Sequence, residues 1–131
     1  MADVPHILVT GSSRGIGAAI AATFAERGRR WIGHGRANGP EAIGADLAEP
    51  GAADRLWDLA LERLDGRIDV LVNNAGVFEP VAVDAPAAEW QAGWARTMQI
   101  NLQASADLCR RAVLHWRERA QNGEKGGGRI V

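Results

Sequence analysis

The sequence predicts an α/β fold, a doubly wound parallel sheet with helices on both faces. Three observations predict it. Short apolar runs rich in β-branched residues alternate with longer stretches of helical periodicity. The runs are continuously apolar, as strands covered on both faces require. The first run ends in a glycine-rich loop that passes directly into a helix, an order that right-handed crossovers turn into parallel strands.

Each element follows from its residues. His6-Ile7-Leu8-Val9-Thr10 reads as a buried strand, ended by Gly11-Ser12-Ser13-Arg14-Gly15-Ile16-Gly17. A helix is expected from Ile16 to about Arg27, with Ile16, Ile20 and Phe24 at helical spacing and Gly28 just past its end. Trp31 to His34 forms a short second strand, Arg36 to Pro40 a turn, and Ala42 to Ala45 a third strand that stops at Asp46. From near Pro50 to Leu64 a helix presents Ala53, Leu56, Trp57, Ala60, Leu61 and Leu64 on one face. Asp65-Gly66 marks a turn, and Ile68 to Val72 is a fourth buried strand ending in Asn73-Asn74-Ala75-Gly76. After a loop with Pro80 and Pro86, one long helical stretch is expected from about Ala87 to Ala120. Its apolar stripe is Met98, Leu102, Ala106, Cys109, Val113 and Trp116. Asn122 to Gly128 is a glycine-rich linker, and Arg129-Ile130-Val131 opens a fifth strand.

Composition narrows the function. The 131 residues, 47% of them hydrophobic, fit one domain over positions 1–131. No run approaches the ~18–20 apolar residues of a membrane span, and Met1 to His6 show no leader pattern, so a cytoplasmic, non-membrane protein is expected. A net charge of −1 argues against nucleic acid as a partner. The single cysteine, Cys109, excludes an internal disulfide, and His6, His34 and His115 lie too far apart to suggest a local metal-ligand pair. Surface or satisfied histidines are expected there, and no metal. Tyrosine is absent, and Lys125 is the one lysine.

The glycine loop carries the chemistry. A helix that starts straight after a strand leaves its first amides unpaired, and its dipole favours an anion there. Gly11 permits the tight turn, Gly15 lets a phosphate approach the backbone, and Gly17 lets the helix pack closely on the sheet. No Gly-Lys-Ser/Thr ending is present, which argues against a nucleoside-triphosphate loop.

Thr10-Gly11-Ser12-Ser13-Arg14-Gly15-Ile16-Gly17 resembles the nucleotide-binding signature of the short-chain dehydrogenase/reductase family. Asn73-Asn74-Ala75-Gly76 resembles that family's Asn-Asn-Ala-Gly motif after the fourth strand. Glu89-Trp90 and Ile100-Asn101-Leu102 resemble its segment leading to a helix-borne catalytic asparagine. The resemblance implies a Rossmann-type sheet in which Gly11, Ser12, Ser13, Arg14, Gly15, Ile16 and Gly17 surround the pyrophosphate and adenosine ribose of a nicotinamide dinucleotide. Asp46 would accept a hydrogen bond from the adenine amino group with the Leu47 amide beside it, and Asn74, Ala75 and Gly76 would line the middle of the cofactor. Asn101 would be catalytic through a helix distortion whose freed carbonyl holds a water of the proton relay. Alternatives remain: Asp46 as a turn or helix-cap aspartate, the asparagine pair as a strand-end turn, and Asn101 as an exposed helical residue.

The same resemblance implies hydride transfer between the cofactor and a small carbonyl or alcohol substrate, in a homo-oligomer. The family's serine and its tyrosine with a lysine four residues later are missing, so the chain reads as the N-terminal half of a reductase, truncated at the start of the fifth strand. By itself it is expected to transfer no hydride. The competing reading is a non-catalytic dinucleotide-binding module; a methyltransferase fits the glycine spacing poorly. NADP is the expected cofactor, with NAD possible. No acidic residue lies between Arg27 and Pro40 to bind ribose hydroxyls, whereas Arg14 and Arg36 offer two guanidiniums for a 2′-phosphate.

Overall fold

The computed structural model describes residues 3–131; Met1 and Ala2, at the head of the segment without a leader pattern, lie outside the described residues. Five parallel strands form one sheet in the order β3-β2-β1-β4-β5: β1 His6–Val9, β2 Arg30–Gly35, β3 Ala42–Gly44, β4 Val70–Val72 and β5 Arg129–Ile130. The chain runs outward from β1 through β2 to β3, then returns to the other side of β1 for β4 and β5. This reversal lies between β1 and β4, paired Ile7 to Val70, Leu8 to Leu71 and Val9 to Val72. In sheets of this kind a ligand crevice opens at that place, beyond the carboxyl ends of the strands.

Alternation along the short strands builds two cores. Leu8, Ile32, Ile43 and Leu71 point to one face and meet α2 (Ala52–Arg63) and a later helix, α4 (Ala104–Gln121). Ile7, Val9 and Val72 point to the other, where Ile20 and Phe24 of α1 (Gly15–Glu26) cover them. The α2 face is as expected, with Ala53, Leu56, Trp57 and Ala60 buried. Gly28 ends α1 in a left-handed conformation, φ 61°, and Arg29 N–H returns to the Phe24 carbonyl at 2.9 Å.

The long helical stretch differs from expectation in two ways. It is broken into α3 (Ala87–Met98), a π-helical turn at Gln99–Gln103, and α4. Its core face is Ile100, Ala104, Leu108, Ala112 and Trp116, whereas Met98, Leu102 and Val113 of the expected stripe are exposed. A π turn inserts an extra residue, which shifts the phase of the helix and defeats a count of large apolar residues at constant spacing. Cys109, placed on the expected stripe, is half-buried.

At the amino ends of the strands lies an ionic cluster. Asp69 accepts from His6 N–H at 2.8 Å, Arg67 Nε at 2.9 Å and an Arg119 guanidinium nitrogen at 3.0 Å. Burial would raise its carboxyl pKa, but these three donors hold it below the usual carboxylate range. No helix of the described residues is long and apolar enough to cross a membrane.

Candidate functional site

Thr10 joins the two sides of the reversal. Its hydroxyl, 1% exposed, donates to the Val72 carbonyl and accepts the amides of Asn74 and Ala75 at 3.1 and 3.0 Å. The Asn74 side chain then donates to the carbonyls of Thr10 and Gly11 at 3.2 and 3.0 Å. The glycine-rich loop and the Asn-Asn-Ala-Gly segment are therefore one hydrogen-bonded unit.

The glycines follow from that closeness. Gly11 and Gly15 adopt φ of 64° and 58°, a region that disfavours any side chain. At Gly17 the constraint is space: a Cβ there would stand 2.0 Å from the Gly11 carbonyl oxygen and 2.4 Å from Asn74 Nδ2. Because α1 starts so close, its amino end faces the crevice, with no side-chain N-cap and no acidic residue in its first turn. The partial positive charge of that end is left for an anion.

A cleft of about 690 Å³ opens beyond the carboxyl ends of β1 to β4. Of the expected residues, Gly11, Ser13, Arg14, Gly15 and Ile16 line it from the loop, Arg36 from the end of β2, Asp46 and Leu47 from beyond β3, and Asn74, Ala75 and Gly76 from beyond β4. Ser12 and Gly17 do not line it; they stand behind, Ser12 bonded to His34 and Gly17 packed on Gly11. Arg14 and Arg36 are exposed, and neither forms an ion pair among the described residues.

Asp46 is a turn aspartate as well as a cleft residue: one carboxylate oxygen accepts the Ala48 amide at 2.9 Å. It is not a helix cap, since Gly51 occupies that position of α2. Asn101 sits at the centre of the π turn, beside the cleft and not on its lining. Both ends of its side chain meet Val77, accepting the N–H and donating to the C=O, each at 2.7 Å. Asn73 instead points its amide nitrogen at the Cys109 sulfur at 3.2 Å.

Arg96 and His34 also line the cleft, though neither was expected there as a site residue. Arg96 of α3 reaches Glu79 at 3.0 Å and approaches Asp46 at 4.0 Å, closing the outer side. His34, a residue with no distinguishing neighbours in sequence, is buried with its Nδ1 accepting the Gly11 N–H and its Nε2 facing the Ala45 carbonyl. Burial lowers its imidazole pKa, and the bond to Ala45 offsets this only in part. Its place at the carboxyl end of the strand next to β1 was the available signal. Among the described residues no group of three His, Cys, Asp or Glu side chains could hold a metal ion.

The sequence profile described as short chain dehydrogenase matches residues 5–131. The chain belongs to this family. Among the relatives of this short-chain dehydrogenase chain is 3beta-hydroxysteroid dehydrogenase 1 of Eggerthella lenta, 30% identical over 89% of this chain and 49% of that protein. The D-threitol dehydrogenase of Mycolicibacterium smegmatis is 37% identical over 95% of this chain and 50% of that protein. The crystal structure of 3-ketoacyl-(acyl-carrier-protein) reductase from Brucella melitensis complexed with NADH superposes with a TM-score of 0.70 at 25% identity, over 92% of this chain and 53% of that one. The chain thus spans about half the length of the curated relatives it matches.

Proposed function

We propose that residues 1–131 are one dinucleotide-binding domain of an oxidoreductase that moves hydride between NADP(H) and a carbonyl or alcohol carbon of a small molecule. The observation that carries the NADP preference is the pair of unpaired guanidiniums, Arg14 and Arg36, on a cleft rim that has no carboxylate between Arg27 and Pro40. An aspartate there would repel a 2′-phosphate; two guanidiniums form charge-assisted bonds to it. The fit is supported by the close approaches at Gly11 and Gly17, which leave backbone amides and no side chains where the diphosphate would lie. Asp46 keeps one carboxylate oxygen for the adenine amino group, the other being held by Ala48. Asn74 orients the loop through its amide nitrogen and lines the middle of the cofactor together with Ala75 and Gly76. The nicotinamide, when bound, supplies or accepts the hydride.

Asn101 would act through its backbone in the π turn, its side chain being committed to Val77. The proton step needs an acid/base on the substrate oxygen, and this chain has no tyrosine and one lysine, in the Gly-rich linker. The chain by itself is therefore expected to bind dinucleotide without turnover. Met98, Leu102, Val113 and Leu114, exposed along α3 to α4, support a homo-oligomer.

Fluorescence titration of NADPH and NADH tests the cofactor. NADPH should bind at least about tenfold more tightly, since a hydrogen bond to a charged group is worth about 1.5–3 kcal/mol. Arg14→Ala and Arg36→Ala should each weaken that preference. Equal or tighter NADH binding, unchanged in both variants, would end the NADP reading.

A further inference from the structure

His34 stands where the two walls of the cleft meet, and both its backbone and its ring are bound to them. Its peptide N–H donates to Ser12 Oγ at 3.0 Å, and its carbonyl accepts the Ser12 N–H at 2.8 Å. Its Nδ1 lies 3.1 Å from the Gly11 nitrogen and its Nε2 2.9 Å from the Ala45 carbonyl oxygen. These partners assign the tautomer. A peptide N–H can only donate and a carbonyl can only accept, so Nδ1 carries the lone pair and Nε2 the proton. We propose that His34 is a positioning residue: it holds the glycine-rich loop in its anion-accepting shape, and it does so only as the neutral Nε2–H tautomer. The consequence for cofactor affinity rests on the dinucleotide reading above; the lock itself is a property of the chain.

A second proton on the ring would place an N–H at Nδ1 facing the Gly11 N–H, two donors with no acceptor between them. The Gly11 peptide has little room to turn away, because a Cβ on Gly11 would already stand 2.8 Å from Ala75 Cα. The loop would then give way at the residue on which its tight turn depends. The charged groups on the same cleft are Arg14 from the loop, Arg36 from the end of β2, Asp46 from beyond β3 and Arg96 from α3. The adjoining ends of β1 and β4 bring Thr10 and Asn74, which do not titrate in this range, and α2 faces the sheet with apolar residues. Burial keeps the imidazole below its ordinary pKa. The lock is therefore complete above the unfolded value of about 6.5 and is lost as pH falls through the lower folded value.

The test combines imidazole 15N shifts and Gly11 amide exchange with NADPH and NADH titrations, from about pH 5 to pH 8, for wild type, His34→Asn and His34→Phe. The shifts should report a lone pair on Nδ1, with Gly11 protected at neutral pH. Wild-type affinity should fall on acidification relative to His34→Asn, whose Oδ1 accepts the Gly11 N–H without titrating; that ratio removes the titration of the nucleotide phosphate. His34→Asn should bind within about threefold of wild type at neutral pH, and His34→Phe about tenfold more weakly, as when a buried donor loses its acceptor. If His34→Phe does not fold, the pH profile of His34→Asn against wild type decides. A protonated Nδ1 in the neutral protein, Gly11 exchange indifferent to the substitutions, or wild-type affinity that rises on acidification against His34→Asn overturns the proposal. If wild type binds neither nucleotide at any pH, the dinucleotide reading fails, while tautomer and exchange still decide the lock.

Discussion

Replacing Gly17 by alanine isolates the contact that joins α1 to the glycine-rich loop. The added Cβ would lie 2.0 Å from the Gly11 carbonyl oxygen, against an ordinary carbon–oxygen contact of about 3.3 Å. Loop and helix must part by roughly 1.3 Å, the difference between the printed approach and that contact. Overpacking of this kind costs about 1–3 kcal/mol. The Asn74 bond to the Gly11 carbonyl, at 3.0 Å, is broken by the same movement, which costs about 1 kcal/mol more. Alanine's higher helix propensity returns up to about 1 kcal/mol. The net loss is about 2 kcal/mol, to be read by urea unfolding with the buried Trp57 and Trp116 as fluorescent reporters. Two controls separate causes. Gly15→Ala has nothing within 4 Å but a φ of 58°, so it should lose about 1 kcal/mol through the backbone alone. Gly39→Ala has neither constraint and should be neutral. Gly17→Ala should also weaken nucleotide binding. If Gly17→Ala were as stable as Gly39→Ala and bound nucleotide normally, the steric account of the loop would be wrong.

Other outcomes follow from side chains outside the loop. Asp69→Ala removes the shared partner of Arg67, Arg119 and the His6 amide and should cost about 3 kcal/mol in chemical unfolding. Because the folded Asp69 pKa is lowered, its contribution is present above the unfolded carboxylate value of about 3.9 and fades as pH falls through the lower one. Asp69→Asn should flatten the acid limb of a melting-temperature profile, and coincident profiles would count against the cluster. Asn101→Ala removes both bonds to Val77 and should speed Val77 amide exchange several-fold, at a cost of about 1 kcal/mol in stability. Asn101→Asp keeps an acceptor for the Val77 N–H and loses only the donor to the Val77 carbonyl, so it should recover part of the amide protection without the full stability; full recovery of stability would show that the donor bond is idle.

Much of the sheet was legible because its strands are buried on both faces, and continuous apolar runs such as Ile7-Leu8-Val9 announce that burial. The glycine-rich loop was legible because its constraints are local: Gly11 and Gly15 need their dihedrals whatever the rest of the chain does. The helix after Pro86 was misread in phase. Its core face includes Ala104 and Ala112, too small to stand out in a hydrophobic count, and the π turn moves Met98 and Leu102 outward. Nothing in the short second strand singles out Gly33, yet a Cβ there would stand 2.1 Å from Ser12 Oγ. That constraint, like the bonds of His34 and the approach of Arg96 to Asp46, arises from groups far apart in the chain. No local pattern encodes such pairings; parallel register creates them.

The Asp69 cluster and the arginines of the cleft occupy opposite ends of the same short strands. From His6 to Thr10 the backbone advances about 13 Å at 3.3 Å per residue, farther than the ~8–10 Å over which salt lets exposed charges feel one another. The sheet therefore acts as an electrical spacer. Sign changes at positions 14 and 36 would alter the charge of the cleft without disturbing the ion pairs beneath, and the lower cluster can drift without altering the field above. In a lineage descending from this chain, the charge of the cleft and the robustness of the scaffold are free to evolve on separate schedules.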